Sequence, residues 1–315
     1  MVKMNNRVYG IVGIGSYMAN WNADFTGRPK TIGDGTIFGS DKALKYSVKN
    51  LWVQEGEPVL YFKSFTIPDK AGGKIQPKDL SERYEEMFGK AITDKEPSKE
   101  VLQNLFSAID VMNFGATFAM KKQNIALTGV VQVGQGMNKY EDTEVQVQDI
   151  LSPFRNSEKK EADASSLGKK IVSDEAHYIY PFSVNPNHYD SYIGMIDGFE
   201  GYTVEAYEKL RNGLIKGATA LNTNSKSGSE NEFTLFVTCK ESSNLYLPQL
   251  DQYVSVYKND NNQIVYDVEE LTTLLQSVQQ QIEKVEVFYN PLKVKIENAD
   301  DFYEARHLYT NEVLV

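Results

Sequence analysis

The N-terminal part of the chain passes from an apolar stretch to a polar one. The run Val8–Ile14 is apolar and rich in β-branched residues, which predicts a buried strand over residues 7–18. The stretch Asn20–Gly39 is polar and contains many turn-forming residues, so it predicts a long loop.

A helix is predicted directly after this loop, over residues 40–53. Ser40 is the candidate N-cap, and Asp41 lies in the first turn, where a negative charge interacts favourably with the helix dipole. Three apolar residues share one face of this helix and three lysines share another. The apolar residues are Leu44, Val48 and Leu51, and the lysines are Lys42, Lys45 and Lys49. Strand, loop and lysine-bearing helix indicate a platform that binds phosphate groups; the alternative is an ordinary solvated lysine face.

The periodicity of the remaining chain predicts three more strands around a second helix. The strands are expected at 111–120, at 125–135 with 177–184 extending the sheet, and at 232–240, and the helix at 203–220. The order is therefore strand, helix, strand, strand, helix, strand. This βαββαβ order predicts an α+β fold with a ferredoxin-like or RNA-recognition-motif (RRM) core and an antiparallel sheet.

Two long segments interrupt the predicted core. Residues 54–108 are broken by prolines and glycines but retain aromatic residues, which predicts a finger-like helical insertion. Residues 139–175 are the most polar part of the chain, and such long segments in a compact domain are usually functional or disordered. We predict one domain over 1–240 that contains both insertions, and a C-terminal extension over 241–315 packed on the same domain.

The charge of the chain is segregated. The net charge is −10, which by itself argues against a nucleic-acid-binding protein. Residues 241–315, however, contain thirteen acidic and five basic side chains, whereas residues 28–50 contain five basic and two acidic ones. This distribution permits a basic groove on an acidic body.

Signatures of enzymes and metal sites are missing from the sequence. The pattern Gly13-Ile-Gly15-Ser-Tyr-Met18 has methionine where a dinucleotide-binding loop needs its third glycine. The histidines lack metal-ligand spacing to one another or to the single cysteine, Cys239. An N-terminus without an apolar signal region, and the lack of a run of about 20 apolar residues, predict a cytoplasmic protein without membrane contact.

The N-terminal region carries a set of motifs that occur together in one known family. The set comprises an R-V-x-G strand opening (Arg7–Gly10), the polar residues Asn20, Asn22 and Asp24, the stretch Arg28–Thr31, the pair Asp34-Gly35, and Ala43-Leu44-Lys45 in the helix. These residues resemble the backbone subunit of type I CRISPR Cascade, which belongs to the RAMP superfamily. The resemblance is closest to the type I-B branch.

Later blocks extend the resemblance as far as residue 240. Asp110, Phe114, Gly115 and Ala116 match a D-x-R-x-F-G-A block, with Met112 in place of the arginine. Further matches are Gly129–Val133 to a G-P-V-Q strand, Ser165–Lys170 to a T-M-G-R-K block at the exit of a β-hairpin "thumb", and Ser225-Lys226 to a polar connecting loop.

The resemblance implies a non-catalytic RNA-binding protein that polymerises along the spacer of a CRISPR RNA (crRNA). In this role the thumb, within 139–175, reaches a neighbouring copy and displaces a base at regular intervals, and the remaining bases pair with target DNA. The implied partners are crRNA, target DNA through the guide, other copies of the chain and other Cascade subunits, with no cofactor or metal. The residues expected to contact the RNA backbone are Asn22, Arg28, Ser40, Lys42, Lys45, Lys49, Lys169, Lys170, Ser225 and Lys226.

Two alternatives remain open from the sequence. Type III relatives of this family cleave RNA with an aspartate in the loop after the first strand, where this chain has Asp24 and Asp34. The chain is alternatively a filament or shell protein that assembles without RNA, with the long polar hairpin as an assembly arm.

Overall fold

The structure is a computed structural model that describes residues 2–68, 72–155, 165–241 and 243–314. The helices are α1 (Asp41–Gln54), α2 (Leu80–Phe88), α3 (Ser98–Ser107), α4 (Ile109–Phe114), α5 (Val204–Ala220) and α6 (Glu269–Ser277). The strands in the first half are β1 (Val8–Ala19), β2 (Phe38–Gly39), β3 (Phe65–Thr66), β4 (Gln76–Pro77), β5 (Gly115–Met120), β6 (Gln123–Thr128), β7 (Val131–Val133), β8 (Gly136–Asn138) and β9 (Val145–Arg155). The remaining strands are β10 (Ser165–Val184), β11 (Ser229–Cys239), β12 (Ser255–Lys258), β13 (Ile264–Asp267), β14 (Ile282–Tyr289), β15 (Val294–Glu297) and β16 (Tyr303–His307). None of the helices in these segments is long and apolar enough to cross a membrane.

A large sheet organises the described part of the chain. Its strand order is β16-β14-β11-β1-β10-β8-β2, with β7 and β9 also paired to β10. Strand β1 is central and pairs antiparallel with β10 on one edge and β11 on the other. Strands of residues 1–240 pair antiparallel in this sheet, as predicted for the core. Because β16 runs parallel to β14 in the C-terminal part of the chain, the sheet as a whole is mixed.

Each face of the sheet has its own apolar core. On one face, Val12 and Phe182 pack with the apolar sides of α1 and α5, the two helices that the periodicity predicted. These helices approach so closely that a side chain at Gly213 of α5 would collide with Val48 of α1. On the other face, Ile11 and Ile179 pack with apolar residues of the last quarter of the chain, including Tyr266.

The predicted strand over 111–120 is confirmed only from residue 115 onwards. Residues Ile109–Phe114 form helix α4, and Gly115–Met120 pair with Gln123–Thr128 in a separate two-stranded sheet. The helical turn is favoured because it points Asp110 at the backbone of residues 60 and 61, where the carboxylate accepts two N–H hydrogen bonds. The strand predicted over 125–135 is likewise divided into β6 and β7, since the chain at Gly129 passes directly against the backbone of Phe114.

Strands β9 and β10 form a long antiparallel hairpin inside the segment predicted over 139–175. The residues of β10 from Ser173 to Val184 pair with β1, whereas those from Ser165 to Ser173 pair with β9, so the hairpin extends past the end of β1. Residues 156–164 of this predicted segment lie outside the described residues. The ferredoxin-like assignment of the core and the thumb assignment of the hairpin remain predictions.

A buried polar network joins the central strands to the C-terminal part of the chain. Glu232 is the extra residue of a β-bulge in β11, and its carboxylate lies 2.5 Å from Nδ1 of His177 and accepts from the Tyr266 hydroxyl at 2.6 Å. Nε2 of His177 is 3.2 Å from Glu175, which is paired with Lys258. Burial alone would lower the pKa of His177, but the two carboxylates outweigh burial and raise it to about 9.

We predict that this network makes the free energy of unfolding fall as the pH rises into the alkaline range. The pKa of His177 is raised above its ordinary 6.5 to about 9, so its contribution is complete below pH 6.5 and is lost as the pH rises through about 9. Urea denaturation across this range should show the wild type losing of order 3 kcal/mol of unfolding free energy. His177→Gln should lose less, whereas His188→Gln, at an exposed histidine, should behave as the wild type. Equal pH dependence in all three proteins would contradict the assignment.

Candidate nucleic-acid interface

The three lysines predicted on one face of α1 lie on that face, but in different electrostatic environments. Lys42 is exposed. Lys45 is partly buried and forms an i,i+4 ion pair with Asp41 at 3.1 Å. Lys49 forms an ion pair with Asp110 at 3.1 Å and is only 16% exposed. Lys42 is therefore the most accessible cation of the stripe, and Lys49 is already engaged by a protein carboxylate.

Asp110 anchors the segment that faces this stripe. Its carboxylate is fully buried and accepts hydrogen bonds from the backbone N–H groups of Leu60 at 2.8 Å and Tyr61 at 2.9 Å. A buried carboxylate needs compensating charge, which Lys49 supplies. The pair thereby fixes the distance between α1 and residues 60–61.

A cleft with a volume of 520 Å³ lies between α1, Tyr61 and the start of β5. Lysines and aromatic rings line it together. Lys45 lies 5.5 Å and Lys49 5.8 Å from the centre of the Phe114 ring, and Lys49 is 5.5 Å from the Tyr61 ring. None of the aromatic residues Tyr46, Tyr61 and Phe114 is among those predicted to contact RNA, although Phe114 belongs to the D-x-R-x-F-G-A block. The position of Tyr46 was readable, since it falls four residues after Lys42 and three before Lys49 on the same helical stripe.

A second group of predicted residues meets where β1 ends. The backbone N–H of Asn20 donates to the Ser225 carbonyl at 2.8 Å, and the Lys226 ammonium donates to the Trp21 carbonyl. The Lys226 ammonium also lies 5.3 Å from the centre of the Trp21 ring. Burial lowers the pKa of Lys226. This lysine therefore ties the loop 222–228 to the end of β1.

Asn22 links this group to the start of α1. Its side-chain oxygen accepts a hydrogen bond from the backbone N–H of Ser40 at 2.8 Å. Ser40 is the N-cap residue, as predicted, but its side chain makes no capping hydrogen bond. The Ser40 hydroxyl is therefore not used to cap the first turn. It lies at the N-terminal end of α1, where the helix dipole favours anions.

The two aspartates considered as catalytic residues form turns in the loop between β1 and α1. One carboxylate oxygen of Asp24 accepts from the Thr26 backbone and hydroxyl, each at 2.7 Å, and from the Arg28 backbone at 3.0 Å. Asp34 accepts from the Thr36 backbone at 2.8 Å. Hydrogen bonds from Thr26 and Thr36 lower the pKa values of Asp24 and Asp34, respectively. The Arg28 side chain is exposed on this loop.

Lys169 and Lys170 lie on the hairpin, opposite Asp149 and Gln148 of β9. Lys169 is exposed and Lys170 is partly so. The hairpin base is tied to the end of β1, because the Asn20 side chain donates to the Ile171 carbonyl at 3.1 Å. The fold therefore brings Lys42, Lys45 and Lys49 together on α1 and places Asn22, Ser225 and Lys226 around the end of β1. The remaining predicted cations, Arg28, Lys169 and Lys170, lie on the loop after β1 and on the hairpin.

Comparisons with known proteins place the chain in a family. A family model described as "CRISPR-associated protein Cas7" matches residues 6–276 of 315. The fold is similar to a chain of a "CRISPR RNA-guided surveillance complex, pre-nicking", with a TM-score of 0.56, 12% identity and 96% of each chain covered. A chain of a "CRISPR RNA-guided surveillance complex" aligns with a TM-score of 0.48 at 12% identity, over 93% of this chain and 95% of that one. No curated protein matches by sequence. Since the family match spans most of its length, the chain belongs to the CRISPR-associated protein Cas7 family.

Proposed function

We propose that this chain is a non-catalytic crRNA-binding backbone subunit of a type I Cascade complex, of the I-B branch. The observation that carries the proposal is the Cas7 family match over residues 6–276. The lysine stripe beside an aromatic cleft is consistent with it. In this role several copies line up along the crRNA spacer in the cytoplasm. They hold the RNA for pairing with target DNA in antiviral defence, together with other Cascade subunits.

The predicted contact residues divide into two roles. Lys42, Arg28 and Lys169 are exposed cations and bind phosphates directly. Ser40 adds its hydroxyl at the N-terminal end of α1, and Lys45 contributes from its ion pair with Asp41. Such phosphate contacts are independent of base identity, which suits a protein whose guide is read by base pairing.

The other predicted residues shape the groove. Lys49 compensates Asp110, Lys226 fastens the loop 222–228 to Trp21, and Asn22 accepts from Ser40. Ser225 holds Asn20 through its carbonyl, and Lys170 lies at the hairpin base. Replacing these residues should alter RNA binding by displacing the loops rather than by removing a phosphate contact.

The proposal also assigns the finer architecture. The central strands with α1 and α5 form a ferredoxin-like palm within the domain 1–240, residues 54–108 form the finger insertion, and residues 241–315 the acidic extension. The hairpin β9–β10 is the thumb, which contacts the next copy. Its β9 strand exposes Val147 by 46% and Leu151 by 70%, and these apolar side chains suit such a contact. Binding of many copies along one RNA adds avidity, which offsets the net charge of −10.

We predict that Lys42→Glu combined with Lys45→Gln weakens binding of single-stranded RNA and reduces its salt dependence. Each lost phosphate contact should lower the slope of log K against log salt concentration by about 0.7. Fluorescence anisotropy with the full chain over a salt series measures this slope.

The matched control for this change of three charge units is Lys216→Glu combined with Lys240→Gln, which alters two exposed lysines outside the cleft. It should leave the slope unchanged. Wild-type protein that fails to bind RNA at low salt, and co-purifies with none when expressed with a CRISPR array, would overturn the proposed function.

We further predict that the chain does not cleave RNA. Wild type and Asp24→Ala should both leave a labelled RNA intact with Mg²⁺ or Mn²⁺ on a denaturing gel. The loss of three hydrogen bonds in the turn should make the loop of Asp24→Ala more accessible to protease. Metal-dependent cleavage by the wild type that Asp24→Ala or Asp34→Ala abolishes would establish the nuclease alternative instead.

A further inference from the structure

The lysine stripe of α1 contains one aromatic residue whose role is not explained by folding alone. Tyr46 is 43% exposed and lines the cleft between Lys42 and Lys49 on the helix surface. Its ring stacks on that of Phe62, with ring centres 5.5 Å apart and an angle of 6° between the planes. Tyr46 therefore continues a short aromatic stack towards the open cleft.

The three aromatic rings of the cleft are not equally available to a ligand. Phe114 has Lys45 and Lys49 within 6 Å of its centre, and Tyr61 has Lys49. The Tyr61 hydroxyl also donates to the Thr117 carbonyl at 2.8 Å. Tyr46 has one face against Phe62 and remains substantially exposed. It is therefore the ring best placed to receive another planar group.

The chemistry around Tyr46 matches a nucleotide better than an apolar peptide. Lys42 lies about one turn before it on the helix and Lys45 is its neighbour in sequence, and both line the same cleft. The cleft volume of 520 Å³ is ample for one base with its sugar and phosphate. Single-stranded nucleic acids are held by cations that contact phosphates and by aromatic rings on which bases stack. An apolar peptide would desolvate the exposed ammonium of Lys42 without offering it a polar partner.

We propose that Tyr46 is a stacking platform for one nucleobase of the bound RNA, with the adjacent phosphates held by Lys42 and Lys45. The inference rests on the proposed function and deepens it by separating a base contact from the phosphate contacts. Stacking tolerates every base, so this contact adds affinity without adding a sequence preference.

The test compares an oligoribonucleotide with the same strand made abasic throughout. Tyr46→Leu, which keeps an apolar side chain against Phe62, should weaken binding of the normal strand by about fivefold or more. Tyr46→Phe keeps the ring and should bind as the wild type does. All three proteins should bind the abasic strand equally, and the salt slope should not change, because the phosphate contacts are intact.

A second readout reports the stack directly. The fluorescence of a strand carrying 2-aminopurine should be quenched when the strand binds to wild type or Tyr46→Phe, and should be quenched less when it binds to Tyr46→Leu.

Equal losses of affinity by Tyr46→Leu on normal and abasic strands would overturn the inference, since a displaced helix weakens both. Unchanged RNA binding with loss of large assemblies in light scattering would also overturn it and assign Tyr46 to a protein contact. Wild-type protein that binds neither strand would instead refute the proposed function itself.

Discussion

Strand β1 is paired on both edges and buried on both faces, and this position constrains the rest of the fold. Side chains of the neighbouring strands and of the packed C-terminal part occupy space next to its backbone, so some positions of β1 have no room for a side chain. Side chains at Gly10, Gly13 or Gly15 would collide with Phe182, Tyr266 or Glu232, respectively. The glycines that resemble a dinucleotide-binding pattern are thus explained by close packing inside the sheet. The buried carboxylate of Glu232 is tolerated because His177 and Tyr266 satisfy it.

The place where β1 ends determines the geometry of the candidate interface. Ser173 of β10 pairs with Ala19, the last residue of β1, and the residues of β10 that precede Ser173 pair with β9 to form the hairpin. Asn20 then binds both the hairpin and the loop around Ser225. One strand terminus therefore brings together a hairpin, a loop and, through Asn22, the start of α1.

The lysines of the interface differ in what they contribute because their surroundings differ. Lys49 is paired with the Asp110 carboxylate and Lys226 donates to the Trp21 carbonyl, whereas Lys42 is exposed to solvent. The cation beside Asp110 comes from Lys49 of α1, so the buried charge is compensated.

Elements with a regular apolar periodicity were predictable from the order of residues alone. The apolar run of β1 and the spacing of Leu44, Val48 and Leu51 in α1 predict these elements to within a residue or so, and the family was readable from its motifs. Periodicity did not determine α4, which resembles a strand until Asp110 is seen to bind the backbone at residues 60 and 61. Nor did it determine that Lys226 would bind Trp21, 205 residues away, or that Tyr46 would stack on Phe62. Such contacts depend on which strands and loops become neighbours in the folded chain, and local sequence carries no signal for pairs so far apart.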